Sequence, residues 1–92
     1  MDVVMMVDNP EGSQEIYDKL RAHLGLDTPA GGIFHVAGPS PTGGFRVIEV
    51  WESETDARTF MRERFAPALQ AIGASGPPPH VQFWPVHNTL TA

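Results

Sequence analysis

The sequence predicts an α+β fold of the ferredoxin-like kind, in which two helices pack on a four-stranded antiparallel sheet in the order β-α-β-β-α-β. Three observations predict it. Four segments have the apolar patterning of strands, two have the apolar spacing of helices, and loops rich in Gly and Pro separate them. The 92 residues show neither an internal repeat nor a domain boundary, so residues 1–92 are expected to form a single domain.

The first strand and the first helix are predicted over residues 2–8 and 13–24. The segment DVVMMVD is apolar throughout between its two acids, which is typical of a strand buried on both faces. Apolar residues of the helix recur every four positions and therefore share one face: Ile16, Leu20 and Leu24. Tyr17 lies beside this stripe, and Gly25 predicts a left-handed helix end.

The next two strands are predicted over residues 32–38 and 44–52. The run GPSPTGG joins them, and its Gly and Pro residues preset the dihedral angles of a hairpin turn. The second helix is expected to begin after Ser53, because SETD offers an N-cap residue with an acid three positions later.

Pro67 interrupts the second helical pattern. It lacks a backbone N–H, and its ring clashes with the preceding turn of a helix. We therefore expect a helix to about Arg64, a break, and a short helix over residues 67–72. The last strand is HVQFWPV, in which Pro85 predicts a position at the edge of the sheet.

Both faces of the predicted sheet are apolar. Alternation along the third strand places Val47 and Trp51 on one face and Ile48 and Val50 on the other. Two helices cover only one face, and a large exposed apolar face marks an interaction surface. We therefore expect the second face to pack against another copy of the chain, which forms a homodimer.

Composition excludes several classes of function. The net charge of −5 and the presence of only six basic residues argue against nucleic acid and anionic membranes as partners. The absence of cysteine excludes disulfides, thiolate nucleophiles and thiolate metal sites. The start MDVVMMVDNP has no basic segment and only a short apolar run, so we expect neither a signal peptide nor a membrane span, and a cytoplasmic location.

The element order, the length and the run VIEVWES before an interrupted second helix resemble the dimeric α/β-barrel superfamily, and most of all its antibiotic biosynthesis monooxygenase type. The resemblance covers nearly the whole chain. It implies a homodimeric α/β barrel with a ligand pocket between the sheet and the helices. It also implies several activities, because the superfamily includes cofactor-free monooxygenases, haem-degrading enzymes, isomerases and polyketide cyclases.

The resemblance implies roles for individual residues. Trp51 matches a pocket tryptophan of the quinone-forming members in type and position, whereas Asn88 and Arg46 match their Asn and Arg in type alone. Arg46 is expected to point toward the partner subunit. Haem-degrading members carry an Asn in the first strand and a His on the second helix. DVVMMVD and TFMRERF contain neither, so we expect no haem. The resemblance to the cofactor-free members further implies that no cofactor is bound.

The candidate catalytic residues are His35, Glu49 and His87, which offer the acid and base groups that cyclases and isomerases use. His35 in IFHVA is either a pocket base or a core histidine bonded to a backbone carbonyl. Glu49 is either a base or one half of an ion pair, because a buried carboxylate is costly unless it is partnered. Whether the two share a face depends on the hairpin register.

The candidate binding residues are mostly apolar or aromatic: Trp51, Tyr17, Val47, Phe60 and Asn88. Trp51 stacks on a ligand ring, packs in the core, or does both, and Tyr17 either faces the same pocket or packs in the core. His87 and Asn88 either orient a substrate carbonyl or tie the C-terminal segment to the partner. We expect no metal site, because no pair of His or carboxylate residues has convergent spacing.

These observations favour a cofactor-independent monooxygenase that acts on a small hydrophobic aromatic or polyketide-like compound. A cyclase or isomerase that works by proton transfer is the first alternative. A non-catalytic ligand-binding module of the same fold is the second.

Overall fold

The four strands form one antiparallel sheet in the order β2-β3-β1-β4, where β1 is Val3–Asn9, β2 Gly32–Pro39, β3 Phe45–Trp51 and β4 His80–Pro85. The structure is a computed structural model that describes residues 1–25, 27–74 and 76–92. Its element order confirms the predicted α+β, ferredoxin-like fold. β4 lies at an edge of the sheet, as Pro85 predicted.

Helix α1, Gln14–Leu24, begins one residue after the predicted start, because Ser13 is its N-cap. The Ser13 hydroxyl accepts a hydrogen bond from the backbone N–H of Ile16 at 3.2 Å and so caps the first turn. Gly25 ends the helix at φ 83° and ψ −176°, and its N–H donates to the carbonyl of Arg21. This is an extended positive-φ conformation rather than the predicted left-handed helical one, and it is nearly restricted to glycine.

The second helical segment corrects the break that we expected before Pro67. Helix α2, Glu54–Phe60, passes through a π-helical turn at Met61–Phe65 into helix α3, Ala66–Ala71, without leaving the helical conformation. The Ala66 N–H donates to the Met61 carbonyl, five residues back. The wider turn accommodates the proline ring and the missing donor by changing the hydrogen-bond spacing.

The core lies between the sheet and the helices. Its buried centre consists of Met5, Val7, Trp51 and Ala57. Residues of β1 alternate, so that Met5 and Val7 face the helices while the residues between them face away. A ring of half-buried residues completes this layer: Val3, Val47, Phe60, Met61 and Phe83.

The opposite side of the sheet, which we call the outer face, is apolar. Its strand residues are Val4, Met6, Phe34, Val36, Ile48, Val50 and Trp84. The side chains of Phe34, Val36 and Trp84 are 58%, 48% and 42% exposed. In the described part of the chain, no helix packs on this face. The predicted second apolar face is therefore present, and the homodimer stays a prediction.

One ion pair interrupts the outer face. The Arg46 Nε and Nη2 atoms donate to the two carboxylate oxygens of Asp8 at 2.6 and 3.2 Å. This hydrogen bonding raises the pKa of the Arg46 guanidinium above its ordinary value. Arg46 lies on the side of the sheet opposite Trp51, as the alternation along β3 predicted.

The hairpin between β2 and β3 closes through five residues, Ser40–Gly44. The Ser40 N–H donates to the Gly44 carbonyl at 3.0 Å, and Gly44 adopts φ 77°. Its α-carbon lies so close to the backbone of Asn9 and Pro10 that a side chain there would collide with them. A register irregularity between Gly32 and Phe34 marks a β-bulge near the other end of β2.

Among the described residues, no helix combines the length and the apolar character that crossing a membrane requires.

Candidate active site

Four side chains form a continuous hydrogen-bonded chain on the helix-facing side of the sheet. Tyr17 Oη lies 2.6 Å from His35 Nε2, and His35 Nδ1 lies 2.6 Å from Glu49 Oε2. The indole N–H of Trp51 donates to the other oxygen of that carboxylate, Glu49 Oε1, at 3.0 Å. We call this group the Tyr-His-Glu relay, with Trp51 at its end.

The β2–β3 ladder brings the two central groups together. Counted back from the hairpin turn, pairing is regular from Pro39 opposite Phe45 to His35 opposite Glu49. Directly opposite residues project from the same face of a sheet, so the imidazole and the carboxylate meet. The register that the sequence left open therefore places His35 on the same face as Glu49 and Trp51.

The chain of partners fixes the proton positions when His35 is neutral. The Glu49 carboxylate accepts from Trp51 and from His35 Nδ1–H, so Nε2 carries the free lone pair and accepts the Tyr17 O–H. A proton arriving at Nε2 would then make an imidazolium, which the carboxylate at 2.6 Å stabilises by its opposite charge. The relay can therefore accept one proton from the cavity side.

Partial burial favours the protonated form of the Tyr17 hydroxyl. Loss of solvent raises the pKa of Tyr17 above 10.0, the charge of Glu49 raises it further, and the charge of Arg21 acts in the opposite direction. The Arg21 guanidinium carbon lies 6.0 Å from the centre of the Tyr17 ring. Tyr17 is thus suited to passing a proton on rather than to carrying a negative charge.

Trp51 is 1% exposed, and its ring packs against Phe60 with the ring centres 5.4 Å apart. Its indole N–H is already bonded to Glu49. Of the two interpretations from the sequence, the geometry matches core packing, because stacking on a ligand would first require the ring to be uncovered.

The relay lines an inner cavity of about 70 Å³ between the sheet and helix α1. Its polar lining residues are Tyr17, His35, Glu49, Arg21, Asn9 and Ser13. Apolar side chains from the sheet, from α1 and α2 and from the π-helical turn dominate the rest, among them Val7, Ile16, Leu20, Phe45, Val47, Phe60 and Phe65. Two predicted binding residues, Val47 and Phe60, therefore line the cavity together with Tyr17.

A second cavity of about 340 Å³ reaches the same relay from the β2 end of the sheet. It is lined by Asp27, Thr28, Pro29 and residues of the bulged part of β2, together with Trp51. Four residues line both cavities and so mark their junction: Arg21, His35, Glu49 and Phe60. The junction gives the relay two approaches, one apolar and one more polar.

His87 and Asn88 lie apart from this site. They follow β4 in the C-terminal segment, where both are exposed, and they line neither of the two cavities. The structure thus brings His35, Glu49, Trp51, Tyr17, Val47 and Phe60 together and leaves these two outside.

Arg21 is the lining residue that the sequence reasoning missed. It follows Tyr17 by four positions on α1, a spacing that places two residues on one helix face. That spacing was the available signal. Within the described ranges, no group of three or more His, Asp or Glu residues is arranged to hold a metal ion.

Comparison with solved structures shows the fold of antibiotic biosynthesis monooxygenase-like proteins. A Chloroflexus aurantiacus protein provisionally named as such a monooxygenase superposes with a TM-score of 0.68 at 12% identity, covering 99% of this chain and 98% of its own. A Nitrosomonas europaea protein of unknown function, NE2512, gives 0.68 at 18% identity, with 99% and 92% covered. The predicted resemblance is confirmed at the level of the fold.

Two further neighbours have named activities or ligands. A monooxygenase from the gene ActVA-Orf6 of Streptomyces coelicolor, solved with nanaomycin D, gives a TM-score of 0.61 at 19% identity, with 99% and 91% of the chains covered. A variant of SnoaB, a cofactor-independent oxygenase of Streptomyces nogalater, gives 0.60 at 15% identity, with 99% and 96% covered. No protein-family model and no curated protein sequence matches this chain.

Proposed function

We propose that this chain is a cofactor-independent monooxygenase that acts on a hydrophobic, oxygenated aromatic or polyketide-like compound. The observation that carries the proposal is the Tyr-His-Glu relay at the wall of an apolar cavity. The solved structures with a similar fold support this class of reaction, because they include a cofactor-independent oxygenase and a monooxygenase solved with nanaomycin D.

The first step is removal of an acidic proton from the substrate. Tyr17 Oη accepts that proton while its own proton passes to His35 Nε2, so the tyrosine stays neutral throughout. Glu49 stabilises the imidazolium, and Trp51 holds Glu49 in place. A bound substrate would cover the imidazole, which is 32% exposed in the free protein, and this loss of water would strengthen each of these electrostatic interactions.

The substrate anion then reacts with O2. At an activated CH2 group beside an aromatic carbonyl, the anion transfers an electron to O2, and recombination forms a C–O bond. The resulting peroxide takes back the proton from His35 through Tyr17. Loss of water leaves a carbonyl, so that CH2 and O2 become C=O and H2O without an external reductant.

The size of the cavities bears on the substrate. Ligand pockets usually enclose roughly 300 to 1,000 Å³, which the inner cavity of about 70 Å³ does not reach. The second cavity of about 340 Å³ does, and the two meet at the relay. We therefore expect a substrate that enters through the second cavity and widens the inner one.

A cyclase or isomerase is the second candidate, favoured by the same relay. Tyr17, His35 and Glu49 form a complete path for one proton, and proton transfer along this path does not require O2. This reaction would return the proton to a different atom of the substrate and would consume no O2.

The proposed active form is a homodimer that buries the outer face of each sheet against its partner. The exposure of Phe34, Val36 and Trp84 supports it, because a monomer would leave this continuous apolar surface in water.

Oxygen uptake with dithranol, an anthrone with an activated CH2 group, tests the proposed reaction. We expect purified protein to accelerate both oxygen uptake and quinone formation above the protein-free rate, with equal amounts of O2 consumed and quinone formed. His35→Gln should lower this acceleration about 100-fold or more, because it removes the proton acceptor. His23→Gln, an exposed histidine on α1, is the matched control and should match the wild type.

Equal rates for the wild type and His35→Gln would contradict the relay mechanism. Conversion of a substrate into a tautomer or a cyclised product, with no oxygen uptake, would favour the cyclase or isomerase instead.

A further inference from the structure

Arg21 differs from every other basic residue that the structure describes. Five of the six basic side chains pair with a carboxylate or a backbone carbonyl: Lys19 with Glu15, Arg46 with Asp8, Arg58 with Glu54, Arg62 with Glu63, and Arg64 with the Leu24 carbonyl. Arg21 forms neither an ion pair nor a side-chain hydrogen bond with any described residue. Among the described residues, the half-buried Arg21 is thus left without an anionic partner, although the chain has eleven acidic residues.

That guanidinium lies where a bound molecule would meet it. Arg21 lines both cavities and is the only positively charged side chain in the described lining of either. Its carbon lies 6.0 Å from the centre of the Tyr17 ring, and the Tyr17 hydroxyl lies 2.6 Å from His35. A group bound to Arg21 is therefore held next to the entrance of the proton path.

None of the acids near the junction, Asp18 on α1 included, forms an ion pair with Arg21. Glu49 has both carboxylate oxygens occupied, one by His35 and one by Trp51. Asp27 also lines the second cavity, but it is exposed and lies outside ion-pairing distance of Arg21. A planar guanidinium with free donors matches a carboxylate, which it binds through two parallel hydrogen bonds.

We infer that Arg21 is a specificity-determining residue that binds a carboxylate of the substrate, so that the site prefers an aromatic acid over the corresponding neutral aromatic compound. The inference rests on the proposed function, because it names the class of molecule that the same site accepts. The carboxylate occupies the second cavity, and the ring extends past Tyr17 and His35 into the inner cavity.

Calorimetric titration with hydroxynaphthoic acid and with its methyl ester tests this assignment. The two probes share the ring and the hydroxyl and differ in the negative charge, which is present at about pH 8. We expect the wild type to bind the acid roughly tenfold or more tightly than the ester, because only the acid forms a charge-assisted contact with the Arg21 guanidinium. Arg21→Gln should bind the two probes equally, and Arg21→Lys should keep part of the preference.

Arg62→Gln is the matched control, because Arg62 is an exposed arginine that lines neither cavity. It should retain the full preference for the acid. Circular dichroism and thermal unfolding check that each variant is folded, and the wild-type comparison of acid and ester stands by itself if Arg21→Gln does not fold.

Three results would overturn the inference: equal affinity of the wild type for acid and ester, no binding of either probe, or an Arg21→Gln variant that weakens both probes alike. The last result would assign Arg21 to packing against Tyr17. Turnover plays no part in these measurements. A His35→Gln variant with unchanged oxygen uptake would thus end the proposed reaction and leave the carboxylate site intact.

Discussion

Glu49 and His35 face each other across the β2–β3 ladder with 2.6 Å between the carboxylate oxygen and Nδ1 of the imidazole. The carboxylate side chain is 12% exposed and the imidazole 32% exposed, so water reaches the pair mainly at the histidine. This difference in exposure suits a histidine that exchanges a proton with a ligand on one side and is held by a buried carboxylate on the other.

Replacing Glu49 by glutamine tests the role of that anion. Glu49→Gln keeps the size of the side chain and an acceptor for Trp51, but it removes the charge that stabilises a protonated His35. We expect the dithranol-dependent oxygen uptake to fall about 100-fold. Glu52→Gln changes an exposed neighbouring acid and should leave the rate unchanged. A wild-type rate in Glu49→Gln, with normal probe binding, would assign Glu49 to structure alone.

The pKa of Tyr17 is open to direct measurement, because the chain has no other tyrosine. Tyrosinate absorbance should show a pKa above 10.0 in the folded protein, chiefly because burial disfavours the phenolate. Glu49→Gln should lower this pKa by removing a nearby negative charge, and Arg21→Gln should raise it by removing a positive one. Shifts in the opposite directions would contradict the arrangement of charges around the ring.

The same pKa predicts how stability depends on pH. Folded Tyr17 holds its proton more tightly than unfolded Tyr17, so its contribution to stability is complete below pH 10.0 and is lost as the pH rises through the folded pKa. Denaturant unfolding at increasing alkaline pH should show this loss in the wild type. Tyr17→Phe should show a smaller decline over the same interval.

The outer face is expected to hold two copies of the chain together. Phe34→Asp and Trp84→Asp each place a charge within it, and we expect either change to convert a dimer to a monomer in light scattering. Leu90→Asp is the matched control, because Leu90 is 89% exposed in the C-terminal segment outside the sheet. A wild type that is monomeric at micromolar concentration would rule out the dimer.

Two adjacent glycines of the hairpin should differ in their tolerance of alanine. Gly43 and Gly44 both have positive φ, but a β-carbon at Gly43 meets open space whereas one at Gly44 collides with the backbone of Asn9 and Pro10. Gly44→Ala should therefore lower the free energy of unfolding by about 1 kcal/mol or more beyond the effect of Gly43→Ala. The melting temperature of Gly44→Ala should then lie about 4 to 8 °C below that of Gly43→Ala. Equal melting temperatures of the two variants would show that the turn relaxes away from β1.

The sequence predicted best those features that depend on residues close together along the chain. The element order and the N-cap at Ser53 follow from periodicity and local hydrogen bonding, and the structure has them as predicted. The π-helical turn before Pro67 was missed, because a proline predicts an interruption but not the form that it takes.

The candidate site was only partly predictable. Alternation along β3 placed Glu49 and Trp51 on one face, since a strand has a fixed period of two. The position of His35 relative to them depends on the turn between two strands, and Gly- and Pro-rich turns close with several lengths. Contacts between α1 and the sheet, such as that of Tyr17 with His35, depend on tertiary packing that one helix pattern does not specify.

The five-residue turn Ser40–Gly44 has a consequence for the evolution of this chain. Side chains along β2 change sides with every residue, so a single insertion or deletion absorbed by the ladder would send His35 to the outer face while leaving every residue of the relay in the sequence. Chemistry could thus be gained or lost through the odd or even length of a surface loop. Among distant relatives, the number of residues between the histidine and the glutamate is therefore a better marker of shared chemistry than the residues themselves.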